Sequence, residues 1–465
     1  MDNQYVSVFQ ELLNSQQRFF LTGQTRSVEF RLKALHKLKD TIQQNEKGIL
    51  EALRADLNKT DFDAYTTEIG IIYDEVKYAI KHVRQWAEPV KVPSPLIMWP
   101  SKSYIQKEPF GASLIIGPWN YPFQLLMAPL VGAIGAGNTA ILKPSEISSN
   151  TALVIEQMIN NVFPQEYIHV VQGAVAETQA LLELQFDYIF FTGSTTVGKI
   201  VARAAANNLI PVTLELGGKS PVIVHKDARL KGAAHKIVWG KFLNAGQTCI
   251  APDYVLVHTD VEEEFLKEII FAIQEFYGKD NARYLLSCKI VNDRNYQRLV
   301  ELLDPSKLVY GGEVDASKRY LSPTILYPVG WEDPIMKDEI FGPILPVIRY
   351  SELDDAIQKI NARPKPLSLY LFSDNPVAQK RVTQEISFGG GVINNTILQF
   401  SSHYLPFGGI GLSGMGGYHG KASFDTFSHS KSMVRSSSRI DLGLAYPNKH
   451  IRLNNFKRLL SNYRP

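Results

Sequence analysis

The chain has 465 residues, too many for one hydrophobic core, so two or three domains are expected. Hydrophobic residues at 45% and charged residues at 20% rule out a disordered or coiled-coil protein, and a formal net charge of +3 gives no sign of a nucleic-acid-binding surface. The two cysteines, Cys249 and Cys288, exclude a disulfide framework and a cysteine zinc site, and no metal site is predicted. The N-terminus carries no apolar run, so we expect no signal peptide and a cytoplasmic location.

The first hundred residues are helical in pattern. Apolar residues from Phe30 to Leu53 recur with the helical period, which predicts an amphipathic helix, and a second helix is predicted over residues 68–88. Prolines then recur from Pro89 to Pro109, and they cannot lie inside a helix. This extended stretch is either a linker or an arm that leaves its own domain to pack elsewhere.

The stretch 109–142 carries no charged residue and exceeds the roughly 20 residues that a membrane helix needs. Several prolines and glycines cut it into short pieces, and nothing else in the chain offers a second span. We therefore predict a buried strand, a loop, a buried helix and a second strand inside a globular core.

Strands and helices alternate from residue 113 onward. The predicted order is strands 113–117 and 139–142, helix 151–162, strands 169–172 and 188–191, and helix 195–207. This pattern is typical of a doubly wound parallel sheet, whose ligands bind beyond the carboxyl ends of the strands. A similar series follows Glu215 and ends with a strand over 369–372, so we expect two α/β domains with a cleft between them.

The segment from Gly193 to Lys199 closes a predicted strand and opens a helix. Free N–H groups and the dipole at such a helix start attract phosphate. The segment also matches the first seven positions of a P-loop, but the eighth is Ile200, where a hydroxyl is needed to hold magnesium. A nucleotide-binding or NTPase protein is therefore one hypothesis, and a ligand-free strand–helix turn is another.

Three polar side chains have surroundings that suit catalysis. Glu215 lies among strand-forming apolar residues, where desolvation raises the pKa of a carboxylate towards that of a useful base; a structural pair with Lys219 is the alternative. Cys249 lies in a Gly/Gln/Thr/Pro loop that suits a reactive thiolate, with a small buried hydrophobe as the alternative, whereas Cys288 is interpreted as inert. The amide of Asn120 is suited either to an oxyanion or to a local Asx turn.

Two further segments suit a nucleotide. Lys143 and Glu146 follow a predicted strand, at the edge of the sheet where a ribose would lie. Glu339 and Phe341 pair an acid with an aromatic ring, a combination suited to a ribose hydroxyl and a nicotinamide face. Surface turn chemistry is the alternative for each segment.

Together these segments resemble the aldehyde dehydrogenase superfamily over residues 25–435. The motifs that carry the resemblance occur in family order: Pro118-Trp119-Asn120, Lys143-Pro144-Ser145-Glu146, the Gly193–Gly198 turn, Leu214-Glu215-Leu216-Gly217-Gly218-Lys219, Gly246-Gln247-Thr248-Cys249 and Glu339-Ile340-Phe341-Gly342-Pro343. The late run Leu405-Pro406-Phe407-Gly408-Gly409 is similar to the class 3 branch, which includes fatty and aromatic aldehyde dehydrogenases. The resemblance implies a Rossmann-like cofactor domain, a second α/β catalytic domain and a small oligomerisation arm.

The resemblance also implies the reaction: NAD(P)-dependent oxidation of an aldehyde of a long-chain, aromatic or otherwise apolar kind to the carboxylic acid. Cys249 would form the thiohemiacetal and then the thioester, Asn120 would hold the oxyanion, and Glu215 would activate the hydrolytic water. A family member without catalytic activity is the alternative, and the presence of all three residues speaks against it.

The implied cofactor is NAD, with NADP left open because class 3 enzymes often use both. The implied contacts are Lys143 and Glu146 with the adenosine ribose, Gly193, Ser194 and Gly198 at the helix start facing the pyrophosphate, Glu339 with the nicotinamide ribose, and Phe341 with the nicotinamide. The carboxylate of Glu146 favours NAD because it repels a 2′-phosphate.

The implied division assigns residues 1–84 and 106–214 to the dinucleotide-binding domain, 215–422 to the catalytic domain, 85–105 and 423–446 to bridging segments, and 447–465 to a basic tail. A homodimer is expected. From Lys431 to Pro465 there are eight lysines and arginines and one acid, Asp441. Peripheral contact of this tail with a membrane is one hypothesis, and a helix packed on the subunit or its dimer partner is the favoured alternative.

Overall fold

A computed structural model describes residues 3–95, 98–285, 288–441 and 446. The chain begins with α1 (Asn3–Leu21), α2 (Val28–Leu57), α3 (Asp61–Ala64), a π-helical turn over Tyr65–Ile69 and α4 (Gly70–Trp86). Ser27 starts α2 by accepting a hydrogen bond from the N–H of Phe30, and Asn58 ends it in a left-handed conformation. The predicted helix is confirmed, because its periodic apolar residues form one buried face.

A doubly wound sheet follows. Its part of the chain contains β1 (Val90–Val92), β2 (Lys102–Pro109), β3 (Ala112–Ile116), α5 (Gln124–Ala136), β4 (Thr139–Lys143), α6 (Ser149–Asn160), β5 (Ile168–Val170), α7 (Val175–Leu182), β6 (Tyr188–Thr192), α8 (Thr195–Asn207) and β7 (Val212–Glu215). Parallel strands run in the order β5-β4-β3-β6-β7, so the direction of winding reverses between β3 and β6. Every residue of β3, β4 and β6 is buried, which explains their continuous apolar runs. The predicted doubly wound fold is confirmed.

A second α/β series occupies most of the remaining chain. It contains β8 (Pro221–Val224), α9 (Leu230–Phe242), β9 (Tyr254–His258), α10 (Glu262–Tyr277), α11 (Ala282–Leu285), α12 (Asp293–Val300), β10 (Leu308–Tyr310), β11 (Val314–Asp315), β12 (Tyr320–Leu321), β13 (Thr324–Leu326), β14 (Ile344–Tyr350), α13 (Leu353–Asn361), β15 (Ser368–Phe372), α14 (Pro376–Glu385) and β16 (Gly390–Ile393). The seven-stranded sheet has the order β10-β13-β14-β9-β8-β15-β16. It is parallel except at β10, and its strands and helices enclose a core of their own.

The last described elements return to the first sheet. They are β17 (Gly414–Met415), α15 (Lys421–Thr426) and β18 (Ser428–Arg435). β17 pairs antiparallel with β7, and α15 packs against α5. β18 joins β1 and β2 in a separate three-stranded sheet, so the proline-rich stretch forms an arm rather than a free linker.

The uncharged stretch forms strand β3, a loop, the fully buried helix α5 and strand β4, as predicted. Within the described ranges, no helix has both the length and the hydrophobicity that crossing a membrane requires. The hypotheses about the basic tail at 447–465 fall outside the described residues.

Candidate active site

A cavity of about 390 Å³ lies where the carboxyl ends of β3, β6 and β7 face the loop between α9 and β9. Among the residues that line it are seven predicted site residues: Asn120, Gly193, Ser194, Glu215, Cys249, Glu339 and Phe341. These residues come from five separate parts of the chain. The switch between β3 and β6 is where a doubly wound sheet leaves a crevice, so the fold itself brings these motifs together.

The loop that carries Cys249 has an unusual backbone. Asn244, Ala245 and Gly246 adopt three consecutive positive φ angles of 54°, 54° and 70°, which turn the chain sharply after α9. A Cβ on Gly246 would lie 2.3 Å from the carbonyl oxygen of Gly342, so glycine is required there. This turn delivers Cys249 to the cavity wall rather than continuing the helix.

The thiol of Cys249 is half-buried and lies near two carboxylates. Burial, followed by the charges of Glu339 and Glu215, raises the pKa of Cys249 to about 12. A cysteine in these surroundings is protonated at neutral pH. Its conversion to a nucleophile therefore requires a base in the same cavity.

Glu215 ends β7 and is buried, with 3% of its surface exposed. Among the residues that the structure describes, neither of its carboxylate oxygens has a hydrogen-bond partner, and burial raises the pKa of Glu215 well above its usual value. The alternative pairing with Lys219 is not formed, because the Lys219 ammonium lies 2.5 Å from Asp253 and also donates to two backbone carbonyls. Glu215 is thus a poorly solvated carboxylate with free lone pairs, the state that favours a base near neutrality.

Asn120 is buried in the loop between β3 and α5. Its side-chain Nδ2 donates to the carbonyl oxygen of Gln247 at 3.0 Å, which joins it to the loop that carries Cys249. The bond spans 127 positions of sequence, so it is not a local Asx turn. An amide in this position has a second N–H available for an oxygen bound in the cavity.

Apolar side chains line much of the cavity wall. They include Tyr121, Leu125 and Ile397, together with Phe400 and Trp239. The sequence interpretation missed Phe400 and Trp239. Their local segments carry no recognisable chemical motif, and only packing between segments that are distant in sequence places them here.

The cofactor side of the cavity begins at α8. Ser194 caps this helix by accepting a hydrogen bond from the N–H of Val197 at 3.3 Å, and Gly193 precedes it at the end of β6. Gly198 packs on Leu216, where a Cβ would lie 2.5 Å from a methyl carbon, so glycine allows α8 to approach the sheet closely. Gly198 therefore lies behind the cavity rather than in its wall.

Lys143 and Glu146 lie outside the cavity but on the same edge of the first sheet. The Lys143 ammonium donates to the carbonyl of Pro144 at 2.8 Å and lies 3.8 Å from the carboxylate of Glu146. Lys143 is buried at the end of β4, whereas Glu146 is exposed. A helix start and a cation–acid pair along one sheet edge fit the phosphates and ribose of a dinucleotide.

Glu339 and Phe341 also line the cavity. Burial, followed by the charge of Asp253, raises the pKa of Glu339 to about 8. Gly217 makes room for this carboxylate, because a Cβ at that position would lie 2.0 Å from a Glu339 oxygen. The ring of Phe341 meets Trp119 edge to face at 5.3 Å.

The fold is that of an α/β enzyme with two sheets. A cysteine lies beside a sheet edge of the kind that binds a dinucleotide. A family model described as "Aldehyde dehydrogenase family" matches residues 10–433. The chain belongs to the aldehyde dehydrogenase family.

The individual relatives agree. The chain is 50% identical over 444 residues to 4,4′-diaponeurosporen-aldehyde dehydrogenase of Staphylococcus aureus, covering 95% of this chain and 97% of that protein. It is 46% identical to mouse aldehyde dehydrogenase family 3 member A2, covering 89% and 85%. The solved structure described as the substrate-bound state of Staphylococcus aureus AldH has a TM-score of 0.95 at 49% identity, covering 97% of this chain and 99% of that one. The resemblance to the class 3 branch is therefore confirmed.

The protein is an oxidoreductase that oxidises an aldehyde with NAD(P). The NTPase hypothesis finds no support in these relatives, and Lys199 and Ile200 are exposed on α8.

Proposed function

We propose that the enzyme converts apolar aldehydes to carboxylic acids through covalent intermediates on Cys249. The observation that carries the proposal is a single cavity in which this thiol, the unpartnered carboxylate of Glu215 and the amide of Asn120 share an apolar wall. An acyl-transfer site needs a nucleophile, a base and an oxyanion donor within reach of one carbon atom, and these three groups supply them.

In the first step, the Cys249 thiol transfers its proton to Glu215, which releases it to solvent, and the sulfur attacks the carbonyl carbon. A C–S bond forms, and the carbonyl oxygen becomes the oxyanion of a thiohemiacetal. Asn120, together with the backbone N–H of Cys249, donates hydrogen bonds to this oxygen. Each such donor is worth about 2.7–4 kcal/mol of barrier.

NAD(P), when bound, supplies the acceptor for the hydride that leaves the aldehyde carbon and so leaves a thioester on Cys249. Glu215 then takes a proton from water, whose oxygen attacks the thioester carbon. The C–S bond breaks, the carboxylic acid leaves, and the Cys249 sulfur regains its proton. The apolar wall limits the entry of further water.

The cofactor contacts follow the sheet edge. Lys143 and Glu146 hold the adenosine ribose, the start of α8 at Gly193 and Ser194 faces the pyrophosphate, and Gly198 lets that helix approach. In the cavity, Glu339 binds the nicotinamide ribose and Phe341 supports the nicotinamide. Glu146 favours NAD through repulsion of a 2′-phosphate, yet the mouse relative named "dimeric NADP-preferring" keeps NADP use within the proposal.

The substrate is proposed to be a long-chain or aromatic aldehyde. The wall formed by Leu125, Trp239, Ile397 and Phe400 supports an apolar chain.

We further propose a homodimer in the cytoplasm, assembled through the arm of β1, β2 and β18. β18 is an edge strand with an exposed outer rim, which suits pairing with a second copy. The division into a cofactor domain (1–84 and 106–214), a catalytic domain (215–422) and bridging segments (85–105 and 423–446) remains part of this proposal. A membrane contact of the 447–465 tail is tested by liposome co-sedimentation with and without those residues.

The covalent route is tested by trapping. Glu215→Gln should react with aldehyde and NAD more slowly, because the thiol has lost its base, and should then retain an acyl group on the peptide that contains Cys249, seen by mass spectrometry. A matched Cys249→Ala variant should show no adduct. Complete absence of an adduct in the Glu215→Gln protein, with hydride transfer intact, would remove Glu215 from hydrolysis.

Substrate choice is tested with a chain-length series of aldehydes and both dinucleotides. We expect kcat/KM to rise with chain length as more apolar surface is buried, by up to about fourfold per methylene. A flat series would contradict the apolar preference without affecting the covalent mechanism.

A further inference from the structure

We propose that a buried ion pair, Lys59 with Glu68, positions the oxyanion donor Asn120. The inference rests on the role of Asn120 given under the proposed function. Neither member of the pair lines the cavity, and both lie in the N-terminal helical region. They act on the reaction only through the loop that carries Asn120.

The pair is fully enclosed. The side chain of Lys59 is 2% exposed and that of Glu68 is 0% exposed, and their charged atoms lie 2.5 Å apart. Lys59 follows the end of α2, whereas Glu68 belongs to the π-helical turn before α4. Single π-helical turns occur frequently at functional sites, because they re-aim one side chain out of the regular helix.

Both partners bond to the backbone of the loop after β3. The Lys59 ammonium donates to the carbonyl oxygen of Asn120 at 3.3 Å. The second carboxylate oxygen of Glu68 accepts from the N–H groups of Phe123 at 2.9 Å and Gln124 at 3.2 Å. The ion pair thus holds the loop at Asn120 itself and again at the start of α5.

A second set of contacts ties the same loop to the nucleophile. The Lys59 ammonium lies 4.0 Å from the ring centroid of Tyr121, whose hydroxyl is 2.7 Å from that of Thr248. The carbonyl oxygen of Asn120 also accepts from the side chain of Asn244 at 2.9 Å. The loop is therefore clamped between the ion pair and the turn that precedes Cys249.

An apolar pair of similar volume would not replace these contacts. Buried ion pairs are often no more stabilising than well-packed hydrophobic residues, so stability alone is weak grounds for this one. Here the carboxylate satisfies two N–H groups of the loop, which would otherwise be buried without partners, and the ammonium is a second donor to the Asn120 carbonyl beside Asn244. The carboxylate of Glu68 also lies at the N-terminus of α5, where a negative charge is favoured.

The test neutralises both charges together with Lys59→Met/Glu68→Gln, which avoids leaving one buried charge alone. Single-turnover NADH formation should slow by about 10–100-fold, because a displacement of about 1 Å in a catalytic group can cost 100-fold. The rate of iodoacetamide alkylation of Cys249 should stay within about twofold, since alkylation needs no oxyanion donor. Lys307→Met/Asp333→Asn, at a half-buried ion pair beside the edge strand β10, is the control and should alter neither rate.

A double-mutant cycle with Asn120→Ala gives the second readout. If the pair acts through this amide, adding the double neutralisation to Asn120→Ala should slow NADH formation by less than about threefold. Additive losses, or a parallel loss of alkylation in the Lys59→Met/Glu68→Gln protein, would overturn the positioning role. So would an unchanged single-turnover rate in that protein.

The same experiment separates this inference from the function on which it depends. An Asn120→Ala variant with normal single-turnover kinetics would contradict the proposed oxyanion donor itself. A slow Asn120→Ala variant beside a normal Lys59→Met/Glu68→Gln protein would contradict the ion-pair inference alone.

Discussion

The two cysteines of this enzyme share a raised pKa but differ in their access to the cavity. Burial raises the pKa of each thiol to about 12. Cys249 nevertheless faces a cavity that also holds Glu215, whereas Cys288 is enclosed in a core and donates to Asn244 at 3.5 Å. Burial and a raised pKa therefore do not identify a nucleophile. A nucleophilic cysteine is identified instead by its access to substrate and by a base beside its thiol.

The comparison also shows what Cys288 contributes. Its sulfur lies 4.0 Å from the side-chain nitrogen of Gln247, in the turn that carries Cys249. Gln247 in turn donates to the carbonyl of Lys289 at 3.1 Å. Cys288 contacts the loop that carries Cys249 from within the core, whereas Cys249 lines the cavity. Substitutions at the two positions should therefore affect different properties.

The largest expected difference is in turnover. Cys249→Ala should lower the rate of NADH production by more than about 10⁴-fold, because no other group in the cavity replaces the sulfur. Cys288→Ala should keep most of the activity. Steady-state NADH production at saturating aldehyde measures both, with circular dichroism to confirm folding, and an active Cys249→Ala protein would end the assignment of the nucleophile.

The next difference is in pH dependence. In a Cys288→Ala background, the rate of alkylation of Cys249 without cofactor should rise about tenfold per pH unit from pH 7 to 9, because the thiolate fraction grows throughout the range below a raised pKa. Glu215→Gln removes a neighbouring negative charge, so the pKa of Cys249 should fall and alkylation at pH 8 should become faster. A rate that levels off near pH 8.5 in the unmodified site would show that the thiol has an ordinary pKa.

A smaller effect is expected in the cavity wall around Cys249. Phe400→Ala removes an apolar ring that packs against Phe407 at 5.3 Å. KM for a long-chain aldehyde should rise about tenfold, while kcat changes less. A tenfold rise corresponds to part of the free energy gained by burying one aromatic side chain. A short aldehyde that does not reach the wall is the control. Equal changes for both aldehydes would place Phe400 in the support of the loop rather than in substrate binding.

The contrast between the cysteines also marks how far the sequence could predict the molecule. Strands such as β3 and β6 were predictable within a residue or two, because strands buried on both faces leave continuous apolar runs. The loop around Cys249 was predictable as the site of a reactive thiol, because its Gly/Gln/Thr/Pro composition differs from that of a core segment. Cys288 is buried as its apolar surroundings suggest, although its link to the loop depends on packing between distant segments.

Other features were not predictable from local sequence. Lys59 lies between α2 and α3 and Glu68 lies in the π-helical turn, and charged residues in such segments normally face solvent, so nothing in the pattern indicates that they are buried. Phe400 lines the cavity although it lies far along the chain from the other site residues. β17 belongs to the first sheet although it follows the strands of the second sheet in sequence. These placements depend on long-range packing, which a local pattern of residues does not encode.

The smallest expected effect is on the free energy of unfolding. Here substitution of Cys288 should have a larger effect than substitution of Cys249, the reverse of their order for turnover. Cys288→Ala should lower the free energy of unfolding by about 1–2 kcal/mol, because it leaves a small void and removes the donor to the Asn244 side chain. Cys249→Ala should change it by less than about 0.5 kcal/mol, since its sulfur borders an open cavity rather than a packed core. Urea unfolding of both variants measures the difference. Cys288→Ser, which keeps a donor of similar size, should recover part of the loss, and equal stabilities of the two alanine variants would contradict the division of roles.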